Sequence, residues 1–500
     1  MLTPDFRSMA ASRQTMLGRL RLPPLTDPLI LPSGSGPGLV LAPFCGIRYA
    51  HDRVSSIANV TSPPYDVISG DVGEHLRSTD PHNVVRLILP GEDANASQAA
   101  ASLLHDWLST GVLIPDRTPA LYLYEQSSAG ASWRQRGLIG LVRLGSPQAA
   151  GILPHEGVLP GLVADRRELM AATRANLEPI FLIYDGGQPR DPSCEATPSA
   201  SPRRTATQVI DDVAAERAPL VTINTEDGVT HRLWRIDDRA EQAAITADLY
   251  GRQALIADGH HRYAAYLDLQ SQARASGQGA GPWDFGLAFL VDSAAYPPRL
   301  GAIHRVLPSL APDRAAELAK VAFTVLDLPT GLDLASAQRR LAEAGREGTA
   351  FLLAGGSGFR LLSHPDPGTA AESMPTGRSA PWRSLDASVL QQLLLGRLWD
   401  ITDSERDVLI YHDAADALRA VLGSGGSTGV NGTTQVNRTR GAGVGTAVLS
   451  NPASFEAVIQ IAAQGERVPR KSTSFSPKPR TGLVLRTFGR NDEGLDGPGR

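Results

Sequence analysis

Four side chains able to bind an anion or move a proton fall within five positions of the stretch ALIADGHHRYAAYLDL, residues 254–269: Asp258, His260, His261 and Arg262. A short apolar run enters an Asp-Gly turn. Tyr263, Tyr266 and Leu267 then follow at the three- and four-residue spacing of one helix face. The polar cluster therefore sits at a helix N-terminus, where unpaired N–H groups and about half a positive charge favour a phosphate or carboxylate. Gly259 would let such a ligand approach the backbone. The simpler reading is that Asp258 is an N-cap accepting from first-turn amides and that the histidines are surface residues. Against it, a helix start built for stability alone would carry Asp or Glu rather than three cationic or cation-capable groups.

Other stretches hold isolated chemistry. In GILPHEG, residues 151–157, His155 and Glu156 stand in a glycine-flanked loop, where a carboxylate would serve as a general base or simply be solvated. In SPPYDVIS, Pro63 and Pro64 force an extended approach to Tyr65 and Asp66. RKSTSFSPKPRTGLV, residues 470–484, gathers Lys471, Ser472, Thr473, Lys478 and Arg480 ahead of a strand. That pattern suits either a phosphate loop or a protected strand edge. A P-loop is disfavoured because GERVPRKS has Arg470 where the second glycine must stand. No HRD precedes the single DFG, which begins a strand, and the GxSxG match GGSTG at 425–429 falls in a low-complexity stretch rather than at a strand-to-helix elbow. His155, Glu156, His260, His261 and His304 show no HExxH or CxxC spacing, so a structural zinc is the weaker option.

The elements that must position these residues belong to a chain of 500 residues with 42% hydrophobic content, enough for two or three cores. A net charge of −4 supplies no global field for nucleic acid or an anionic membrane, so any anion site is local. The apolar runs are shorter than the ~20 residues that span a bilayer. Two cysteines, Cys45 and Cys194, give no disulfide framework and agree with a cytoplasmic setting.

Strands and helices alternate, which predicts a mixed α/β or α+β architecture. GLVLAPFCGIRY, NVVRLILP, the pair ALYLYEQ and RGLIGLVRL, PIFLIYD, HRLWRIDD, DFGLAFLVD, LGAIHRVL, FTVLDL, TAFLLAG and DVLIYH read as strands. Helices are expected from about Gly70, over ASQAAASLLHDWLS, from about Asp165, over EQAAITADLYG, after Gly259 and over LASAQRRLAEAG. Segments 186–208, 364–379 and 423–446 read as exposed insertions or linkers. The expected organisation is a disordered arm at 1–38, an α/β region at 39–310 carrying the PPYD, LPHE and DGHHRY motifs, a second α/β region at 311–490, and a tail at 491–500.

Five stretches in this order, SPPYDVIS, GILPHEG with DRRELMAAT, IADGHHRYAA, IHRV and RKSTSFSPKPRTGLV, resemble the domain-of-unknown-function family 1015 over most of residues 39–488. Val158, Arg470 and Ser474 depart from the pattern. The DGHHR element is similar to that of ParB/sulfiredoxin-like proteins, including free L-serine kinases. The resemblance implies a kinase moving a phosphoryl group from ATP or ADP, with Mg²⁺, to a small hydroxyl metabolite such as L-serine. It would place Asp258, His260, His261 and Arg262 at the phosphate transfer; the resemblance supplies no certain counterpart for the base, and Glu156 is the candidate for that catalytic role. Gly259, Arg262, Lys471, Ser472, Thr473 and Lys478 would lie around the nucleotide phosphates, and Tyr65, Asp66, His155, His304 and Arg305 near the substrate. Asp258 or Asp66 would hold the metal. A nucleotide-dependent regulatory module and a metal-dependent phosphatase are the competing readings. A small-molecule substrate is expected, and no nucleic acid or membrane partner.

Overall fold

A computed structural model describes residues 38–128, 133–187, 204–404, 406–423 and 445–488. The expected N-terminal arm, the C-terminal tail, Cys194 and most of the 186–208 and 423–446 insertions lie outside these residues.

The first sheet is mixed and has nine strands: β1 (Leu41–Ala42), β2 (Leu121–Ser128), β3 (Arg134–Arg143), β4 (Ile152–Leu153), β5 (Ile180–Tyr184), β6 (Val221–Asn224), β7 (Val229–Ile236), β8 (Ala254–Asp258) and β9 (Phe285–Asp292). Their spatial order is β4-β8-β5-β9-β3-β2-β7-β6, with β1 beside β3. β8 runs parallel to β4 and antiparallel to β5, while β5 and β9 are parallel. Successive side chains of a strand face opposite sides of the sheet. Here both sides are covered: Leu121, Leu123, Ile180, Leu182 and Leu290 enter one core, and Tyr122, Tyr124, Phe181, Ile183 and Phe289 enter the other. That double burial explains why these strands read as continuous apolar runs rather than alternating ones. The two expected partners, β2 and β3, pair antiparallel with Tyr122 opposite Ile139.

A second, wholly antiparallel sheet contains β10 (His304–Leu307), β11 (Thr324–Asp327), β12 (Ala350–Gly355), β13 (Gly358–Ser363), β14 (Leu409–Tyr411) and β15 (Thr446–Ser450), in the order β11-β13-β12-β15-β10-β14. Phe351 and Leu353 point into one core and Leu352 and Ala354 into another. The chain then returns. Ser474–Ser476 pairs with Arg299–Gly301, Arg486–Thr487 pairs with Ala175–Asn176, and Thr481 bridges to Ser62. The first sheet's last strand ends at Asp292 and the second sheet begins at His304, with Arg299–Gly301 between them in a separate two-stranded pair with Ser474–Ser476.

Several expected elements differ. LGAIHRVL divides into Arg299–Gly301 and His304–Leu307, which join different sheets. NVVRLILP forms a four-residue helix, Val85–Ile88, rather than a strand, because the Asn83 side chain accepts from Val85 N at 2.9 Å and turns the chain. A short apolar run does not distinguish a buried strand from a buried helix. GLVLAPFCGIRY breaks at Pro43 into Leu41–Ala42 and Ile47–Tyr49, which join different sheets. Within the expected loop at 364–379, Asp366 caps a helix, Pro367–Ser373, by accepting from Thr369 N.

Two helices on the first sheet frame the site. Helix α1 (Pro160–Thr173) starts earlier than the expected Asp165 because Pro160 supplies the fixed φ suited to a first turn. Helix α2 (His260–Ala275) begins where β8 ends and buries Tyr263, Ala265 and Tyr266. Arg167 and Asp268 pair across the two helices at 3.6 Å. α2 lies so close to β9 that a Cβ on Gly286 would stand 2.4 Å from Cδ2 of the Tyr266 ring, whose hydroxyl donates to Glu178 O at 3.2 Å. Gly286→Ala is therefore expected to lower stability by about 1–3 kcal/mol through overpacking. Chemical denaturation would measure it, and an unchanged midpoint would show that α2 can move away from the sheet.

Candidate active site

β8 delivers Asp258 to the end of the sheet and Gly259 turns the chain into α2. Gly259, not Asp258, is the N-cap, with φ 92°. A Cβ there would stand 3.1 Å from both Arg262 Nε and Ile180 Cγ2. The glycine is thus required by a left-handed backbone and by the approach of an arginine of the same chain. The capping role considered for Asp258 does not occur, because its carboxylate is committed elsewhere. Arg262 Nη2 donates to Oδ2 at 2.5 Å, and Lys478 Nζ lies 2.6 Å from Oδ1.

Lys478 also reaches Asp66 Oδ2 at 2.5 Å, so one ammonium joins two carboxylates that come from opposite ends of the first unit. Burial opposes charge on Asp258, but Lys478 and Arg262 overcome it and hold the carboxyl below its ordinary range. Lys478 is likewise desolvated and kept protonated by Asp258 and Asp66. Asp66 lies in a 3₁₀ turn, Tyr65–Val67, that follows extended Pro64. Its other oxygen, Oδ1, is buried with no hydrogen-bond partner.

Arg262 is 1% exposed. Besides Asp258 it donates to Pro179 O at 2.6 Å, and its Nε is buried without a partner. The guanidinium expected at a phosphate is thus a brace between α2, β8 and the entry to β5. Next to it stand two residues that motif reading passed over. Glu178 accepts from Tyr65 N at 3.0 Å and from the Thr481 hydroxyl at 3.3 Å, and burial raises its carboxyl despite Arg262 and Arg166. Arg166 of α1 lies 4.4 Å from the Tyr65 ring centroid. Burial pushes the Tyr65 phenol up to about 12. The only signal for Glu178 in the sequence was one acidic residue immediately before an apolar strand.

Glu156 forms the second half of the cluster, with its side chain 22% exposed. Thr473 Oγ1 donates to Glu156 Oε1 at 2.8 Å and lies 2.8 Å from His155 Nε2. With the hydroxyl proton committed to Glu156, the threonine oxygen accepts from His155, which fixes the tautomer of that ring. His260 Nε2 accepts the His155 amide at 3.3 Å and its Nδ1 faces Glu156 Oε2 at 3.9 Å. His261 Nε2 accepts the Leu159 amide at 3.1 Å. The two adjacent histidines therefore hold the loop that carries Glu156, each by an unprotonated nitrogen. Burial keeps both His260 and His261 below their ordinary range, helped for His260 by His155 and for His261 by Lys471. Arg467 donates to Pro154 O at 2.6 Å and Val468 N to His155 O at 2.8 Å, closing the loop from the C-terminal side. Burial raises the Glu156 carboxyl, opposed by the Thr473 hydrogen bond and the Lys471 charge.

Tyr65, Asp66, His155, Glu156, Asp258, Gly259, His260, His261, Arg262, Thr473 and Lys478 thus share one site. Lys471 stands at its edge in a left-handed conformation, φ 52°, within electrostatic reach of Glu156 and His261. Ser472 turns away to donate to Pro469 O at 2.5 Å. His304 and Arg305 are buried at the second sheet: His304 Nδ1 accepts from Ser450 N at 3.3 Å, and Arg305 binds main-chain oxygens. Among the described residues no three His, Cys, Asp or Glu side chains form a metal-ligand set. The oxygen donor that suits Mg²⁺ is Asp66 Oδ1, since both oxygens of Asp258 are already engaged.

Two outcomes are expected from this geometry. Arg262→Ala leaves Asp258 short of one buried partner and should destabilise the protein by about 3–5 kcal/mol, read by denaturation. His155 is buried neutral, its pKa pushed down to about 3 from an ordinary 6.5. The unfolded chain therefore binds a proton that the folded ring refuses. Stability is unaffected above 6.5 and is lost as pH falls from 6.5 towards 3. His155→Gln keeps a donor for Thr473 and should flatten stability against pH by up to about 1.4 kcal/mol per pH unit in that window. Parallel slopes for the two proteins would show that His155 protonates in the folded state.

The family model described as protein of unknown function (DUF1015) matches residues 41–388. No curated protein matches the chain. Among solved structures, a free serine kinase in complex with AMP is 13% identical, covering 65% of this chain and 84% of its own, with a TM-score of 0.30. SbnI with a C-terminal truncation from Staphylococcus aureus is 10% identical, with 71% and 92% covered and a TM-score of 0.32. A conserved hypothetical protein from Pyrococcus furiosus is 13% identical, with 69% and 94% covered and a TM-score of 0.31. No helix among the described residues is long and apolar enough to cross a membrane.

Proposed function

The chain belongs to the DUF1015 family, and for this member we propose a small-molecule kinase that transfers a phosphoryl group from ATP or ADP to a free hydroxyl metabolite such as L-serine. The observation that carries the reading is Glu156. It is a partly exposed carboxylate raised by burial, aimed by Thr473 and the His155–His260 pair, and set beside Asp66, Asp258 and Lys478 at the start of α2. A carboxyl shifted towards neutrality is a better general base than a solvated one.

In the proposed reaction Glu156 takes the proton of the acceptor hydroxyl. The acceptor oxygen bonds to the terminal phosphorus as the bond from phosphorus to the bridging oxygen breaks, leaving the nucleotide one phosphate shorter. The first-turn amides of α2 have no intrahelical acceptors and no side-chain cap at Gly259, so they are available to phosphate oxygens. Lys471 adds positive charge at the edge. Mg²⁺, held through Asp66, would neutralise charge on the transferring phosphate. His260 and His261 keep the base in place in this scheme, each through an Nε2 that accepts a backbone amide.

A non-catalytic nucleotide switch and a metal-dependent phosphatase make different demands. A switch would bind nucleotide and change shape without consuming it, and a phosphatase would release phosphate from phosphoserine without nucleotide. Incubating the protein with Mg²⁺, ATP or ADP and a panel of amino acids, followed by mass spectrometry, separates the three. A new phosphorylated acceptor that depends on nucleotide is expected. Glu156→Gln should lower kcat by about 10²- to 10⁴-fold with nucleotide affinity retained. Near-normal turnover in that variant would return Glu156 to a structural role.

A further inference from the structure

Arg305 is 3% exposed and lies on β10 of the second sheet. Its hydrogen-bond acceptors among the described residues are main-chain oxygens: Ile303 O at 3.3 Å, Arg470 O at 3.2 Å and Lys471 O at 3.1 Å. The last two belong to the turn where the chain enters the site. Lys471 is left-handed there. Two residues later Thr473 binds Glu156, and seven residues later Lys478 binds Asp66 and Asp258. We propose that Arg305 is a positioning residue that clamps this turn, so that the second sheet sets the placement of Thr473 and Lys478 in the first unit's site.

The physical case rests on geometry that only arginine supplies. Nη2 donates to both successive carbonyls of the turn while Nη1 donates to Ile303 O, so one planar group ties the turn to the start of the strand, which the single nitrogen of a lysine does not do. Burying a guanidinium without a carboxylate partner is unfavourable. Burial pushes this one down to about 10 despite Asp403. A charge kept at that penalty, on two carbonyls of an otherwise irregular segment, fixes a backbone that no strand ladder holds at that point. A second contact from the same sheet acts alongside it: His412 Nδ1 lies 3.1 Å from Ser474 Oγ.

The test uses the full chain and partly rests on the kinase reading, so one arm needs no turnover. In hydrogen exchange followed by mass spectrometry, Arg305→Gln should raise exchange of peptides spanning 467–481 by about 10-fold or more, while β9 keeps its protection. In turnover it should lower kcat by about 10- to 100-fold with little change in nucleotide KM. The acidic limb of the pH profile should also move up, because the Thr473 hydrogen bond that lowers the Glu156 carboxyl is lost. His155, His260, Lys471, Asp258 and Lys478 face that carboxyl, so the control is Thr473→Val. It should give the same upward shift with strap exchange less affected, and the double variant should add nothing further to the limb. If Arg305→Gln loses its cooperative melt, Arg305→Lys keeps the charge, gives up the second nitrogen, and carries the same comparison. Unchanged strap exchange overturns the proposal, as does a loosened strap with an unmoved limb in an active enzyme. A loosened strap in a protein with no turnover upholds the clamp and removes the kinase reading instead.

Discussion

One ammonium ties the site together. Lys478 lies within 2.6 Å of carboxylates on Asp66 and Asp258, both far from it in sequence. A carboxylate as buried as Asp258 is costly to keep charged without a cation beside it. The charge on Lys478 holds the Asp258 carboxyl below its ordinary range, and the same ammonium ties the C-terminal segment to both aspartates. Arg262 completes the arrangement from beneath, so Asp258 ends with both oxygens occupied and the turn after β8 is fixed from two sides.

Around that pair, the two histidines of the DGHHR stretch act through their lone pairs. Buried and uncharged, they accept amide protons from His155 and Leu159 at either end of the loop that carries Glu156. A protonated imidazole could not do this, since both its nitrogens are donors. The positive end of α2, together with neighbouring cations, favours the neutral form that the loop requires. The feature that looked costly for a helix start is thus consistent with its use: imidazoles are placed where charge is discouraged and an acceptor is needed.

Belonging to one family and being assembled by one kind of contact are separate matters. The matched family region ends at residue 388, while Thr473 and Lys478, which complete the site, lie beyond it. They arrive only because the chain leaves the second sheet and pairs again with Arg299–Gly301 and Ala175–Asn176. Each half of the site therefore depends on strands formed hundreds of residues away.

Much was legible in the sequence because it depends on local chemistry. The Asp-Gly turn into α2, the pairing of β2 with β3, the long strand β9 and the mixed architecture follow from turn residues and apolar runs that act over a few positions. The residue types at the site were also visible, down to Glu156, Asp66 and Lys478. Their roles were not. Sequence shows that an arginine follows an aspartate by four positions, but only packing shows that Arg262 is spent on Asp258 and Pro179 O rather than exposed to a phosphate. It shows two histidines, but which nitrogen accepts from which amide is fixed by a loop a hundred residues earlier. Glu178 gave almost no signal, and His304 and Arg305 shared a motif with the site while folding into another sheet. The reason is physical: backbone preference acts between neighbours, whereas burial, charge pairing and hydrogen-bond direction are set by whatever the fold brings alongside.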